Sequence, residues 1–188
     1  SDNTLELVNT LMTDNSAGQI QIHKTATDVI PLVSEICTRL QVLAEEKDQI
    51  LEVALHTTHL NCEIDSLRIG DVLNNIIGNA IKFSPPGSLI RINSRVSNGR
   101  IQITVDDQGP GVSTLDKLKA FQPGQTLSAK PTAGEVSTGM GLFSAKQNME
   151  LHDGTIWITD NPKEPGARFV IEWPLRSFNA NQNPSLSQ

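Results

Sequence analysis

Apolar residues recur at helical spacing in three stretches of the chain. The first stretch follows Asp28, the second runs from Ile69 to Ile81 after Asp65, and the third covers Leu142–Leu151. Their repeat is close to the period of about 3.6 residues that one face of a helix requires. Asp28 and Asp65 are suitable N-cap residues, because a carboxylate accepts hydrogen bonds from the free N–H groups of a first turn. The pattern predicts three amphipathic helices, each packed along one face.

Alternating apolar and polar residues predict strands between and after these helices. Two short runs lie between Ile50 and Ile64. Two more, Leu89–Val96 and Arg100–Val105, are joined by Ser97-Asn98-Gly99, a strong hairpin signal. The last runs are Thr155–Thr159 and Arg168–Trp173. Three helices with about six strands indicate a two-layer α/β sandwich, in which helices cover one face of a mixed, mainly antiparallel sheet.

Three segments lack this patterning. Residues 1–27 are polar, apart from a short helical spacing over 5–12 that is typical of the end of a helix. The stretch 106–141 is rich in Gly and Pro, which predicts a long polar loop. The tail 177–188 is rich in Asn, Gln, Ser and Pro and is predicted to be disordered. We therefore expect one domain over residues 28–176, with a linker before it and a tail after it.

Composition narrows the class of protein. The 188 residues are 37% hydrophobic and carry 15 Lys and Arg against 21 Asp and Glu, a net charge of −6. A globular domain is expected, and a protein that coats nucleic acid is not, because such a surface needs clustered cations. No apolar run reaches the roughly 18 residues of a membrane span. Cys37 and Cys62 match no metal-ligand spacing and are expected to be free, buried thiols.

Polar side chains share one face of the second predicted helix. Asn75, Asn79 and Lys82 fall within about 60° of one another on a helical projection, opposite the apolar stripe. A solvated outer face explains three polar residues equally well at this point. However, an amide oxygen is a suitable ligand for Mg²⁺ and a lysine is a suitable charge for a phosphate. Phe83 would add an apolar wall at the helix end.

Two glycine-bearing motifs follow. Asp107-Gln-Gly109-Pro-Gly111 comes after an alternating strand, where glycines let a ligand approach the backbone closely. Thr138-Gly139-Met140-Gly141-Leu142 leads into the third helix, whose free N–H groups and dipole favour anions. Taken singly, the first motif could be an ordinary turn and the second a flexible joint.

The order of these motifs resembles the ATP-binding domain of sensor histidine kinases. That domain belongs to the wider GHKL family of ATPases, named for gyrase, Hsp90, histidine kinase and MutL. The resembling stretch runs from about Thr27 to Leu175, with its N box at 71–85, its G1 box at 107–111 and its G2 box at 138–142. The resemblance implies the Bergerat fold. Residues 1–27 are then expected to hold the end of a dimerisation hairpin.

The resemblance also implies roles for the helix residues. Asn79 would hold the Mg²⁺ that bridges the ATP phosphates, and Asn75 would help to position those phosphates. Lys82 would neutralise phosphate charge, which makes Asn75 and Lys82 the expected catalytic residues. Phe83 would line the nucleotide pocket. Gyrase-like relatives carry a glutamate base at the position of Asn75. An asparagine there fits a kinase, which passes the γ-phosphoryl group to a protein and not to water.

The remaining expected binding residues belong to the two glycine motifs and to a lid over residues 112–137. Asp107 would accept a hydrogen bond from the adenine amino group, and Gly109 and Gly111 would let the base approach. The G2 box would cradle phosphate, and the lid would close over ATP, with Phe121 resembling the F box of the family. The set of expected binding residues in these segments is completed by Val112, Thr138, Gly139, Met140, Gly141 and Leu142.

The sequence departs from the family at several positions. The family usually has glycine where Ser137 stands and often threonine where Ala167 stands, so weaker nucleotide affinity is expected. No arginine occurs between Arg100 and Arg168. A phosphate contact from the lid would therefore fall to one of its lysines, which are Lys117, Lys119 and Lys130.

A phosphoacceptor histidine is not recognised in this sequence. His23, His56 and His59 are not followed by an H-E-x-x-T-P-like motif, and His152 is expected to be structural. The expected function is ATP-dependent phosphorylation of a histidine on separate dimerisation helices of a longer kinase, with onward transfer to a response regulator receiver domain. We expect a cytoplasmic domain that binds ATP or ADP and contacts neither nucleic acid nor membrane. It would be a monomer as a fragment and a homodimer in the longer protein.

Three alternatives remain at this stage. The departures at Ser137 and Ala167 and the arginine-free lid are also typical of a regulatory module that binds nucleotide without phosphotransfer. An anti-sigma-type serine kinase is less favoured, because that branch has an acidic residue where Asn75 stands. A structural protein without a ligand is the least favoured.

Overall fold

A computed structural model describes residues 21–134 and 139–176. Its elements in chain order are β1 (Thr25–Asp28), α1 (Val29–Glu45), β2 (Ile50–Leu55), β3 (Asn61–Ile64), α2 (Ser66–Phe83), β4 (Leu89–Ser97), β5 (Arg100–Asp106), α3 (Thr114–Lys119), α4 (Gly141–Leu151), β6 (Thr155–Asp160) and β7 (Ala167–Pro174).

The main sheet has five strands in the order β2-β4-β5-β7-β6. Strand β2 pairs with β4 in parallel, and the other three pairings are antiparallel. The predicted hairpin joins β4 to β5 through Asn98 and Gly99, whose φ values of 52° and 68° suit a tight primed turn. This mixed, mainly antiparallel sheet confirms the expected class.

The two long helices begin at the predicted caps. Asp28 accepts a hydrogen bond from the backbone N–H of Ile30, and Asp65 accepts one from Arg68. Helix α2 packs between α1 and α4. Its apolar stripe is completely buried at Ile69, Leu73, Ile76 and Ile77. Burial of each such side chain contributes about 1.5 to 3 kcal/mol. The stripe fixes the rotation of α2 and thereby turns its polar face away from the core.

Two elements differ from the sequence-based expectation. Strand β1 lies in the predicted linker and pairs with β3 in a separate two-stranded sheet, so β3 does not join the main sheet. Helix α3 lies in the predicted loop. Both were missed because neither buries an apolar stripe: β1 is the polar sequence TATD, and Leu115 and Leu118 of α3 are 76% and 75% exposed. The predicted helix end over 5–12 and the tail 177–188 lie outside the described residues.

Within residues 21–134 and 139–176, no helix is both long enough and apolar enough to cross a bilayer.

Candidate functional site

A cleft of about 230 Å³ opens between α2, the end of β5, the start of α4 and the lid. Helix α2 supplies one wall with all four residues predicted for it: Asn75, Asn79, Lys82 and Phe83. Asn75, Asn79 and Lys82 lie on the polar face of α2, away from the buried stripe, which is why one helix can both pack in the core and line a polar cleft.

The two asparagines of this wall differ in their partners. Asn75 Nδ2 donates to the backbone oxygen of Asp71, 2.9 Å away and one turn earlier. Its Oδ1 lies against Gly141, so closely that a Cβ on that glycine would overlap it. By contrast, Asn79 makes no hydrogen bond to any residue that the structure describes, and its amide faces the cleft. Asn79 is thus available to a ligand, whereas Asn75 also fixes the approach of α4.

A cationic group stands at the end of the same wall. Lys82 Nζ lies 5.6 Å from the centroid of the Phe83 ring, within the range of a cation–π contact. An ammonium and an aromatic face therefore meet at one end of the cleft, where they can serve an anionic group and a planar one.

The other wall is organised around Asp107, whose side chain is buried. Its Oδ1 accepts backbone N–H bonds from Gly109 and Ala167, each at 2.9 Å. Its backbone N–H donates to the oxygen of Ala167, and its backbone oxygen accepts from Asn161 Nδ2 at 2.8 Å. The second carboxylate oxygen has no partner in the described part of the chain, and Asp107 lines the cleft. Burial raises the pKa of this carboxyl.

Two glycines allow the close approaches that shape the cleft. Gly166, at φ +144°, lies so close to the backbone oxygen of Asp107 that a Cβ there would overlap it. Gly139, at φ +70°, would place a Cβ 2.8 Å from the backbone oxygen of Gln125 in the lid. The first glycine brings β7 to Asp107, and the second brings the G2 box to the lid.

Most of the predicted residues of the glycine motifs also line the cleft, namely Gly111, Val112, Gly139, Gly141 and Leu142. Three do not. The backbone N–H of Gly109 donates to Asp107 Oδ1, and Phe121 packs against the hydrophobic core. Met140 precedes the first residue of α4 and is 41% exposed. Thr138 and the departure at Ser137 lie outside the described residues.

Sequence reasoning missed several lining residues. Pro110 and Phe169 extend the wall of Asp107, and the lid contributes Gln125, Thr126, Leu127 and Ala129. Phe169 carried a signal, because it is an inward position of an alternating strand. The lid residues carried none, since they belong to neither a periodic element nor a motif. Ala167 was noted as a departure, and it lines the cleft as well.

The lid lysines do not all face this cleft. Lys117 Nζ lies 2.6 Å from Asp160 Oδ1, and Lys119 Nζ lies 3.1 Å from Asp116 Oδ1. Lys130 is exposed and is not a lining residue. The polar lid residues that line the cleft are therefore the neutral Gln125 and Thr126.

A cation could be held here only with help from a ligand. The described residues contain no group of three His, Cys, Asp or Glu side chains arranged for a metal. Magnesium bound with nucleotides takes most of its ligands from phosphates and water, with one or two from the protein. The amide of Asn79, which lines the cleft, fits that donor set.

His152 is held in a structural position. Its Nε2 accepts the backbone N–H of Asp65 at 3.0 Å, and its Nδ1 donates to the backbone oxygen of Asn148 at 2.7 Å. This pair of bonds requires the neutral imidazole, and burial lowers the pKa of the ring. His152 thus ties the start of α2 to the end of α4.

Comparison with known proteins identifies relatives for this arrangement. Residues 64–177 match the family described as histidine kinase-, DNA gyrase B-, and HSP90-like ATPase. Over 176 residues, the chain is 32% identical to the sensor histidine kinase TmoS of Ectopseudomonas mendocina, an alignment that covers 92% of this chain and 18% of TmoS. The chain thus spans about a fifth of the length of this curated relative.

Solved structures share the fold. The full-length structure of ShkA in complex with AMPPNP superimposes with a TM-score of 0.75 at 24% identity, covering 95% of this chain and 37% of that one. The histidine kinase ThkA in complex with the response regulator protein TrrA gives a TM-score of 0.71 at 22% identity, covering 93% and 49%. At these identities the likeness concerns the fold.

Proposed function

The chain belongs to the histidine kinase-, DNA gyrase B-, and HSP90-like ATPase family, and from this premise we propose that it is the ATP-binding catalytic domain of a two-component sensor histidine kinase. It binds Mg-ATP in the cleft and transfers the γ-phosphoryl group to a histidine on a separate helical domain. The phosphate then passes to an aspartate of a response regulator receiver domain. The complexes of ShkA with AMPPNP and of ThkA with TrrA support this assignment by analogy of fold.

The buried carboxylate of Asp107 carries the proposal. Its Oδ1 is occupied by two backbone donors, so its other oxygen is the acceptor offered to the cleft. The exocyclic amino group of adenine is a donor of matching chemistry, whereas guanine presents a carbonyl oxygen at that position. A buried acceptor facing an acceptor leaves both unsatisfied, so we expect ATP to bind at least about 100-fold more tightly than GTP.

The opposite end of the cleft suits the phosphates. Helix α4 points its N-terminus at the cleft through Gly139 and Gly141, and such a terminus favours anions. Lys82, which also lines the cleft, would add a positive charge for the phosphates. Magnesium, held by Asn79, would supply further neutralisation of phosphate charge. As the acceptor nitrogen forms its bond to the γ-phosphorus, the bond to the β-phosphate oxygen breaks and ADP leaves. The residues of this chain contribute positioning and charge neutralisation.

Calorimetric titration tests the binding step. We expect a non-hydrolysable ATP analogue to bind with micromolar affinity, more tightly with Mg²⁺ than without it, and the corresponding GTP analogue to bind much more weakly. Equal affinity for both nucleotides would contradict the role of Asp107. Absence of any binding to the folded protein would contradict the proposed function as a whole.

A regulatory module that binds nucleotide without phosphotransfer is the second candidate. It is favoured by the lid, whose Lys117 and Lys119 engage Asp160 and Asp116 instead of the cleft, and by Ala167 in place of the usual threonine. The full-length protein incubated with γ-labelled ATP separates the two candidates. Incorporation of an acid-labile label into the protein supports the kinase. Tight binding of ATP without incorporation of label supports the regulatory module.

A further inference from the structure

The C-terminal end of α2 receives a lysine from a distant loop. Lys47, in the loop between α1 and β2, places its Nζ 2.7 Å from the backbone oxygen of Ile81 and 3.2 Å from that of Lys82. A cation at this end of a helix satisfies the last carbonyl groups and interacts favourably with the helix dipole. The contact therefore stabilises the turn of α2 that carries Lys82 and Phe83 into the cleft.

The lid is fastened at the same point. The backbone N–H of Thr132 donates to the oxygen of Lys82 at 3.1 Å, and Thr132 Oγ1 lies 2.9 Å from the oxygen of Ser84. Lys47 Nζ donates to Thr132 Oγ1 at 2.6 Å. One ammonium thus joins the lid to the end of the helix that forms the opposite wall. We call this contact between Lys47 and Thr132 the lid anchor.

The lid anchor lies close to the lining of the cleft along the chain. Ala129, three residues before Thr132, lines the cleft, and so do Gln125, Thr126 and Leu127. Upstream, the backbone N–H of Ser128 donates to Asp116 Oδ2 at 3.1 Å. The lining part of the lid is therefore braced at one side by α3, which is itself part of the lid, and is joined at the other side to the end of α2. We therefore expect a change at the lid anchor to alter how the lid covers the cleft.

We propose that Lys47 is a positioning residue of the nucleotide site, which sets nucleotide affinity by pinning the lid at Thr132 to the end of α2. This inference rests on the proposed function and adds a positioning residue to the same site. Lys47 is not among the residues that line the cleft. Its contacts with Thr132 and with the last turn of α2 are what connect it to the cleft.

Two conservative variants test the anchor. Lys47→Met keeps the length of the side chain and removes the ammonium, and Thr132→Val keeps the shape and removes the hydroxyl. Each variant is expected to bind the ATP analogue about tenfold more weakly, as is typical of losing one hydrogen bond to a charged group. The double variant is expected to lose less than the sum of the two single losses, because both substitutions remove the shared contact between Lys47 and Thr132. Lys24→Met, which removes a lysine paired with Asp153, serves as the matched control.

Adenosine separates positioning from a purely structural role. It carries the base without phosphates, so its affinity, measured by competition, is expected to stay unchanged in Lys47→Met while that of the ATP analogue falls. Hydrogen exchange of lid amides 125–132 is expected to quicken in both single variants. Equal losses for adenosine and the ATP analogue, together with a lowered Tm, would make Lys47 a structural cap and overturn the proposal.

Two further results would also overturn it. One is unchanged affinity of Lys47→Met for the ATP analogue, and the other is full additivity of the two substitutions. Both leave the proposed function intact, since that depends on binding by the unmodified protein. A failure of the unmodified protein to bind would instead remove the proposed function itself.

Discussion

The two ends of the cleft are built differently. We call the end where adenine is proposed to bind the base end. There, backbone N–H groups of Gly109 and Ala167 donate to the carboxylate of Asp107, and the side chain of Asn161 donates to its backbone oxygen. At the lid end, the lid, residues 112–134, is joined to the rest of the fold mainly by single side-chain bonds, from Lys117 to Asp160 and from Lys47 to Thr132, and by apolar packing of Phe121 and Leu127 on the core. The base end is thus part of the sheet, whereas the lid end depends on a few separate contacts.

With ATP as the proposed ligand, this difference would assign recognition of the base to the end at Asp107 and closure over the nucleotide to the lid. A carboxylate locked by sheet backbone is preorganised for its ligand and needs no rearrangement to accept a hydrogen bond. A segment held by a few side-chain contacts opens at low cost, which is typical of segments that close over ligands. We therefore expect changes that displace the backbone of the base end to affect folding and binding together, and loss of single side-chain contacts of the lid to affect mainly binding.

The strongest perturbation of the base end is Gly166→Ala. The added Cβ would overlap the backbone oxygen of Asp107 at a φ of +144° that side chains rarely adopt. We expect the free energy of unfolding to fall by at least about 3 kcal/mol, with loss of nucleotide binding. Urea denaturation measures the first effect and calorimetry the second.

Gly134→Ala is the matched control for that substitution. Gly134 also has a positive φ, of +77°, but its Cβ would meet no atom within 4 Å. Its cost should be confined to the left-handed backbone, about 1 to 2 kcal/mol. Equal destabilisation by both alanines would show that the close approach of β7 to Asp107 is unimportant.

On the wall formed by α2, Asn79→Ala removes the amide that faces the cleft. The Mg²⁺-dependent part of ATP-analogue affinity is expected to fall by about tenfold or more, because one hard oxygen ligand is lost. Stability should hardly change, since Asn79 bonds to no described residue. Asn74→Ala is the control on the same helix, where Asn74 Oδ1 instead accepts from Arg39 Nη2 at 3.0 Å. Calorimetry with and without Mg²⁺ measures both, and an unchanged Mg²⁺ effect in Asn79→Ala would refute the assignment.

A smaller effect is expected from pH at His152. Because its pKa is lowered in the folded state from the ordinary 6.5, the unfolded chain takes up this proton at higher pH than the folded one. The contribution of His152 to stability is therefore complete above about pH 6.5 and declines as the pH falls below it. Urea denaturation of the unmodified protein and of His152→Gln between pH 5.5 and about 7.5 measures this. A pH dependence that is identical in the two proteins would contradict it.

The base end could be predicted from the sequence because its information is local. The spacing Asp107-x-Gly-x-Gly after a strand places a carboxylate and two permissive residues together, and Gly109 does donate to Asp107. The face of Asn75, Asn79 and Lys82 was equally readable, since helical periodicity alone sets it opposite the buried stripe. What the motif did not reveal is the partner across the sheet. Ala167 and Asn161 reach Asp107 only through the pairing of β5 with β7.

The lid end could not be predicted in the same way. Asp116 meets Ser128 across 12 residues, and Lys47 meets Thr132 across 85. No repeat or motif marks such pairs in a single sequence. Helix α3 was missed for a related reason, because its apolar residues Leu115 and Leu118 face outward and bury no stripe. Contacts made by single polar side chains between distant segments become visible only in the folded structure.

We propose that the second carboxylate oxygen of Asp107 accepts a hydrogen bond from the adenine amino group, and Asp107→Asn tests this role most directly. The new amide keeps an oxygen for the N–H groups of Gly109 and Ala167 and turns a donor toward the base, so the fold is preserved while recognition is lost. Calorimetric titration with the ATP analogue is expected to show affinity lowered by at least about 100-fold with an unchanged Tm. Undiminished affinity in a folded Asp107→Asn variant would contradict the account.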